Sequence, residues 1–122
     1  MTQQIIITTG AIFGMLSVVF GAFGAHALKK ILSEDQLNSF EVGVKYQMYH
    51  AILLVILGFN HNYITPAIYW CFTLGIVLFS FSIYGLILSD AKGNKLKFLG
   101  PITPLGGLLF VMGWLLLVID SF

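Results

Sequence analysis

Long apolar runs separated by short polar segments dominate this chain, and four of them cover about residues 5–28, 41–60, 66–88 and 102–119. As a helix, the first run reaches about 36 Å, which is enough to cross a hydrocarbon core of about 30 Å. We therefore predict one all-α domain over residues 1–122, a polytopic membrane protein with four transmembrane helices in a compact up-down bundle.

Capping residues indicate where three of these helices begin. Ser33–Gln36 has the pattern of a capping box, in which the serine and glutamine side chains satisfy free backbone N–H groups. Thr65-Pro66 and Thr103-Pro104 each place a threonine before a proline, the order expected for an N-cap and the first helical position. The sequence therefore predicts helix starts at these three places.

The composition excludes an ordinary soluble fold. Hydrophobic residues make up 58% of the chain and charged residues 9%, whereas soluble domains have about 25% charged residues. A net charge of +1 without a basic stripe gives no reason to expect nucleic acid as a partner.

Lysine positions predict the orientation. The chain has six lysines and no arginine, and every lysine lies in or beside the first or third loop: Lys29, Lys30, Lys45, Lys92, Lys95 and Lys97. Since cationic loops stay in the cytoplasm, both termini are expected outside the cell membrane. Trp70 and Trp114 then lie toward the external interface, while Tyr46, Tyr49 and Tyr84 are expected to anchor the inner one with their hydroxyls in water.

Small residues recur along each span and predict close helix packing, because close backbone contact drives helices together in lipid. The glycines that we assign to packing are Gly10, Gly14, Gly21, Gly75, Gly85, Gly106 and Gly113. Such a narrow bundle has no room for a wide pore, so a solute path would need an oligomer or a groove.

Candidate chemistry within the spans is limited to a polar group of His26, Gln47 and His50, with Tyr46 beside it. Because the first two spans are antiparallel, the two imidazoles are expected at similar depth near the cytoplasmic side. The group can be interhelical hydrogen-bond glue, a protonatable or ligand-binding site, or a haem or metal site. If the glycines of the first span face the bundle, His26 instead faces lipid headgroups, another subunit or the edge of a neighbouring helix.

No phosphate loop, nucleophile elbow or zinc spacing is present, and Asp90 and Asp120 are isolated. We expect no enzyme activity, no metal and no cofactor. The first hypothesis is a protein that supports envelope integrity or binds lipid or a partner protein. The alternatives are a small oligomeric transporter or proton-coupled carrier, and a haem- or quinone-associated redox protein. Membrane lipids are the expected partners, and a homo-oligomer remains open.

Three ordered motifs carry a family resemblance: Gly21–Leu28, Phe40–Ala51 and Ile102–Gly107, with Gly113-Trp114 after them. They resemble the YgdD / transmembrane-protein-256 family, a domain-of-unknown-function group of small four-helix membrane proteins in bacteria and eukaryotes. The resemblance covers nearly the whole chain and departs at Phe81, where the family has a small residue. It implies the four-helix membrane fold and brings no reaction, and it makes His26, Gln47 and His50 the first positions to test.

Overall fold

The computed structural model describes residues 2–122, which form helices joined by short turns. The α-helices are α1 (Gln3–His26), α2 (Glu34–Phe59), α3 (Pro66–Ile76), α4 (Ser82–Ala91) and α5 (Ile102–Asp120). Single 3-10 turns occupy Leu28–Lys30, His61–Tyr63 and Lys97–Leu99. A π-helical segment, Val77–Phe81, joins α3 to α4, so these elements form one continuous third span.

Four helical stretches of the described chain are long and apolar enough to cross a membrane: Gln3–Lys30, Glu34–Phe59, Pro66–Ala91 and Lys97–Asp120. No strand occurs within residues 2–122. The predicted all-α class with four candidate membrane helices is therefore confirmed. The helices extend beyond the apolar runs because polar turns continue them, most clearly at the start of α2.

Side-chain caps begin three of the helices, and in α1 the Thr2 hydroxyl accepts a hydrogen bond from Ile5 N–H at 3.3 Å. The Ser33 hydroxyl accepts a hydrogen bond from Gln36 N–H at 3.2 Å, and Gln36 Oε1 accepts one from Ser33 N–H at 3.0 Å. Thr65 Oγ1 accepts from Ile68 N–H at 3.3 Å, with Pro66 as the first helical residue. The capping box and the Thr65-Pro66 start are therefore confirmed.

The predicted start of α5 at Thr103 is wrong. This helix begins at Ile102 with Pro101 in the N-cap position, and the Thr103 hydroxyl forms a hydrogen bond with Ser82 on α4. Pro104 is tolerated inside the first turn because N–H groups there have no intrahelical acceptor. Thr103 therefore joins two spans rather than capping its own helix.

Two glycines of the predicted packing set, Gly10 and Gly106, allow backbones of different spans to touch. A Cβ atom at Gly10 would lie 2.8 Å from the Ala51 carbonyl oxygen, so the backbones of α1 and α2 are in close contact there. A Cβ atom at Gly106 would lie 2.7 Å from backbone carbons of Leu78 and Phe79, within the π-helical segment. In both places a methyl group would meet backbone atoms, which cannot move aside as a flexible side chain does.

The other glycines of the predicted packing set are approached by side chains, and they differ in how closely. A Cβ atom at Gly75 or Gly113 would lie 2.5 Å from a phenylalanine ring carbon, and one at Gly85 would lie 2.6 Å from a leucine methyl. Gly14 and Gly21 have more room, with nearest distances of 3.8 Å and 3.4 Å. Tolerance of a methyl group should therefore differ along the bundle.

Phe81 fills space between the first and third spans. Its ring contacts Phe13 and Phe20 edge-on, with centroid distances of 6.0 Å and 6.3 Å. Edge-to-face pairs at these distances stabilise aromatic clusters. The bulky ring is thus accommodated by aromatic packing rather than by close backbone contact.

The second helix packs between α1 and the third span and carries two of the buried polar side chains, Gln47 and His50. Its buried side recurs every three or four residues, as expected for one helical face: Phe40, Gly43, Gln47, His50, Ala51, Leu54, Leu57 and Gly58. Residues of α1, the third span and α5 all contact this face.

Candidate functional site

Gln47 is fully buried and joins three spans. Its Nε2 donates to the Phe13 carbonyl oxygen of α1 at 2.9 Å. Its Oε1 accepts from the Tyr84 hydroxyl of α4 at 2.6 Å. Burial of an amide in this position requires such partners, because an unpaired polar group in an apolar interior costs several kcal/mol.

A second hydrogen bond joins α2 to the third span, one turn away from the bond between Gln47 and Tyr84. Ser80, inside the π-helical segment and fully buried, donates its hydroxyl to the Gly43 carbonyl oxygen at 2.7 Å. The lack of a side chain at Gly43 also lets the Tyr84 ring lie against α2. The third span therefore presents two donors, one turn apart, to two acceptors on α2.

His50 is buried and both of its ring nitrogens have partners. Its Nδ1 lies 2.7 Å from the Tyr46 carbonyl oxygen, one turn earlier on α2. Trp114 Nε1 on α5 donates to His50 Nε2 at 3.1 Å. The imidazole also stacks flat on Phe110, with centroids 3.7 Å apart and planes inclined by 5°.

These partners determine the tautomer of His50. An indole N–H can only donate, so Nε2 must accept and the single proton of the neutral ring lies on Nδ1. The lone pair that a haem iron or a metal ion would need is then engaged by Trp114. In addition, no three His, Cys, Asp or Glu side chains among residues 2–122 are grouped so that they could hold a metal ion.

The structure brings Gln47, His50 and Tyr46 together on α2 but separates His26 from them. His26 is exposed at the end of α1, whose last turns lie against Phe40. The His26 level therefore corresponds to about residue 38 of α2, about 18 Å along the helix from His50. The expectation that the two imidazoles share a depth is wrong, because the α1–α2 register places them at different levels.

Two aromatic residues of the polar network were assigned elsewhere from the sequence. The Tyr84 hydroxyl was expected in water, yet it is buried against Gln47. Trp114 was expected only as an interfacial residue, yet its indole N–H binds His50. Tyr84 lies six residues before Asp90, in the last turn of α4, and Trp114 lies six residues before Asp120, the last residue of α5. Each separation is about 9 Å along the axis, and that depth is a signal against a headgroup position for the side chain.

A groove of about 690 Å³ opens between α2, α4 and the start of α5, at the end of the bundle that carries the third loop. Five apolar side chains contribute to its walls: Val42, Ile83, Leu86, Ile87 and Pro104. From Ile83 to Asp90 the groove follows α4 for about 10 Å. It is thus apolar over about two helical turns and open to the surroundings.

The mouth of the groove is polar and carries charges of both signs. Lys95 and Lys97 line it from the third loop, and both are exposed. Asp90 lines it from the last turn of α4, where its Oδ2 accepts a hydrogen bond from Gln36 Nε2 at 2.9 Å. This bond ties the first turn of α2 to the end of α4 beside the groove.

The third loop is held against α4 at two points. Leu96 N–H donates to Ser89 Oγ at 3.0 Å, and the Leu99 side chain packs on Gly85. Leu96 and Phe98, which alternate with the lysines, are 43% and 65% exposed. The loop therefore presents cationic and apolar side chains together, a combination typical of segments at a membrane surface.

Comparison with known proteins agrees with this architecture. The sequence model of a family described as "Protein of unknown function (DUF423)" matches residues 20–107. A UPF0382 membrane protein of Staphylococcus haemolyticus is 42% identical over 123 residues, covering 98% of this chain and 97% of its own length. A UPF0382 membrane protein of Staphylococcus aureus is 39% identical over 123 residues, with the same coverage. No solved structure matches the chain. With four membrane-length helices and relatives that match over their full length, the chain belongs to the DUF423 family, integral membrane proteins of unknown function.

Proposed function

We propose that this protein is a non-enzymatic membrane protein that holds a membrane lipid in the groove between α2, α4 and α5. In this proposal the lysine-bearing loops lie in the cytoplasm and both termini lie outside. The observation that carries the proposal is a groove with apolar walls whose polar, lysine-bearing mouth lies at the end of the spans. Lipid supply and retention at this groove would connect the protein to the integrity of the envelope.

The distribution of polarity along the groove supports a lipid rather than a small polar solute. Ligand sites are mostly apolar with a few placed polar groups, and here the two kinds of surface are separated along the helix axis. Val42 and Ile83 lie in the deeper part, while Lys95 and Lys97 line the mouth. An amphiphile with one charged end matches this order.

The proposed orientation rests on the lysines of the first and third loops. Four helices in alternating direction bring both loops to one side of the bundle, and the other loop and the chain ends carry no lysine or arginine. Cationic loops are retained in the cytoplasm. Exposed Leu96 and Phe98 beside Lys95 and Lys97 give the third loop apolar contacts for the same interface.

The state of the buried polar network supports a structural role for it. Gln47 and His50 each have hydrogen-bond partners on neighbouring spans, and these bonds close within the bundle. A carrier would need a polar group that is accessible first from one side of the membrane and then from the other. A redox centre held by His50 would first require Trp114 to release Nε2.

We also propose that the DUF423 family and the YgdD / transmembrane-protein-256 resemblance describe one group of proteins. The motifs Gly21–Leu28, Phe40–Ala51 and Ile102–Gly107 all fall within the matched range 20–107. The same residues form much of the α1–α2 interface and the contact of α5 with the π-helical segment.

Lipid retention tests the proposed function. The full chain is purified in a mild detergent with extended washing, and phospholipid bound per protein is measured by native mass spectrometry. Leu86→Trp fills the groove, and Leu108→Trp is the matched control because Leu108 is 64% exposed on α5 and does not line the groove. We expect the wild type and Leu108→Trp to retain lipid and Leu86→Trp to lose it.

Two results would contradict lipid binding at the groove. One is a wild-type protein that carries no phospholipid after washing; the other is a folded Leu86→Trp variant that retains as much as Leu108→Trp. Circular dichroism of each variant checks that the helices are intact, so that loss of lipid is not loss of fold.

Orientation is tested separately in intact cells with a membrane-impermeant maleimide. In a Cys71→Ser background, Ser121→Cys should react from outside and Lys92→Cys should react only after the membrane is permeabilised. Labelling of Lys92→Cys in intact cells while Ser121→Cys stays protected would reverse the proposed topology.

A further inference from the structure

We infer that the groove selects a phospholipid with one net negative charge and hydroxyl groups on its headgroup, of which phosphatidylglycerol is the simplest example. This inference rests on the proposed lipid-binding function and adds the headgroup chemistry. Its basis is the set of charges at the mouth of the groove, together with the contacts that hold those charges in place.

The charged residues that line the mouth are Lys95, Lys97 and Asp90, two positive and one negative, so their sum is +1. A phosphodiester carries one negative charge, which neutralises this sum. A zwitterionic headgroup leaves the excess positive charge uncompensated, and a headgroup with two phosphates brings excess negative charge beside Asp90. The charge balance therefore favours a monoanionic lipid.

The backbone that carries the two lysines is held in position before a ligand arrives. Residue 96 between them is fixed by its N–H bond to Ser89 Oγ at 3.0 Å, and Leu99 on Gly85 fixes the other end of the segment. A site that is already ordered loses less conformational entropy on binding. Lys95 and Lys97 therefore extend from one held segment of backbone, so a phosphate group at the mouth meets both charges without ordering of the loop.

Asp90 is the residue that discriminates between headgroups. Gln36 Nε2 binds its Oδ2 at 2.9 Å, which fixes the carboxylate at the mouth. Each carboxylate oxygen has two acceptor positions, so Oδ1 remains able to accept hydrogen bonds from hydroxyl groups. The same negative charge repels a second phosphate. A glycerol headgroup on a single phosphate therefore fits both the lysines and the carboxylate.

Ser39 and Thr103 complete the polar lining, on the α2 and α5 sides of the groove. The Thr103 hydroxyl is already bonded to Ser82, so it is not counted as a headgroup ligand. Below this level the walls are apolar, as an acyl chain requires. Headgroup recognition is thereby confined to the residues of the mouth.

The test measures which lipid the full chain retains from a defined mixture. Purified protein is equilibrated with mixed micelles containing equal amounts of phosphatidylcholine, phosphatidylethanolamine, phosphatidylglycerol and cardiolipin, and bound lipids are identified by native mass spectrometry. We expect phosphatidylglycerol to be enriched about fivefold over the zwitterionic lipids, the factor that corresponds to about 1 kcal/mol for a lysine near an anionic headgroup.

Charge variants assign the preference to the mouth. Lys95→Gln combined with Lys97→Gln should keep lipid binding but lose the fivefold preference. The matched control, Lys29→Gln combined with Lys30→Gln, removes the same charge from the first loop and should keep the preference. Asp90→Asn retains an oxygen acceptor for Gln36 and should raise the share of cardiolipin.

The outcomes separate this inference from the proposed function. If the wild type retains all four lipids alike, prefers a zwitterionic lipid or cardiolipin over phosphatidylglycerol, or loses its preference equally in both double variants, the headgroup assignment is overturned while lipid binding stands. If the wild type retains no phospholipid from the mixture, the proposed function fails and the headgroup assignment fails with it.

Discussion

Replacement of Gly106 by alanine tests the backbone contact between α5 and the π-helical segment. The added Cβ would lie 2.7 Å from the Leu78 carbonyl carbon and from Phe79 Cα, and still nearer to Phe79 N. These are backbone atoms of a packed helix, so relief requires α5 to move. Overpacking of this kind costs about 1–3 kcal/mol, and alanine returns about 0.5–1 kcal/mol of helix propensity.

We therefore expect Gly106→Ala to lower the free energy of unfolding by about 2 kcal/mol, the upper part of the overpacking range less the propensity gain. Gly107→Ala is the matched control in the next position. Its Cβ would lie 3.7 Å from the nearest atom, a Phe79 ring carbon, which is ordinary contact. The control should be neutral or gain about 0.5–1 kcal/mol from propensity alone.

The assay is reversible unfolding in mixed micelles, in which the fraction of sodium dodecyl sulfate is raised and helicity and tryptophan fluorescence are followed together. Equal unfolding midpoints for Gly106→Ala and the wild type would refute the argument from backbone distance. So would an equal loss in Gly107→Ala, because the cost would then belong to any methyl group on this turn of α5.

Two further predictions concern the buried polar network. Tyr84→Phe removes the donor to buried Gln47 Oε1 and should cost about 1 kcal/mol in the same unfolding assay, whereas Tyr49→Phe, whose side chain is exposed, should cost nothing measurable; equal effects would argue against the Gln47 bond. Nitrogen-15 NMR should show a neutral His50 ring with its proton on Nδ1, and Trp114→Phe should shift the Nε2 resonance by removing its donor; a charged ring in the wild type at neutral pH would contradict the assigned tautomer.

Local features of this fold follow from local sequence. The apolar runs predict the number of spans, and Ser33 and Thr65 begin helices because their hydroxyls reach N–H groups three residues ahead. These interactions are complete within one turn. Thr103 has the same local pattern as Thr65, but a hydroxyl on a neighbouring helix competes for it, and a single segment of sequence does not contain that competitor.

The candidate site required knowledge of register between helices. Gln47 and His50 were identified because polar groups within apolar runs are costly and need partners. Their partners Tyr84 and Trp114 were missed because the positions of α4 and α5 along α2 depend on tertiary contacts. His26 was grouped with them for the same reason. Counting back from Asp90 to Tyr84 and from Asp120 to Trp114 would have corrected the expected depth of both aromatic side chains.

The three spans that flank α2 supply hydrogen-bond partners to its buried groups in the order of their synthesis. A nascent hairpin of α1 and α2 already offers Gln47 the carbonyl of Phe13, and the later arrival of Tyr84 satisfies its remaining oxygen. Trp114, made last, occupies the imidazole of His50. During biogenesis Gln47 can therefore enter the bilayer with a hydrogen-bond partner already present on α1. Each later span then forms its hydrogen bond with a polar group that is already inserted.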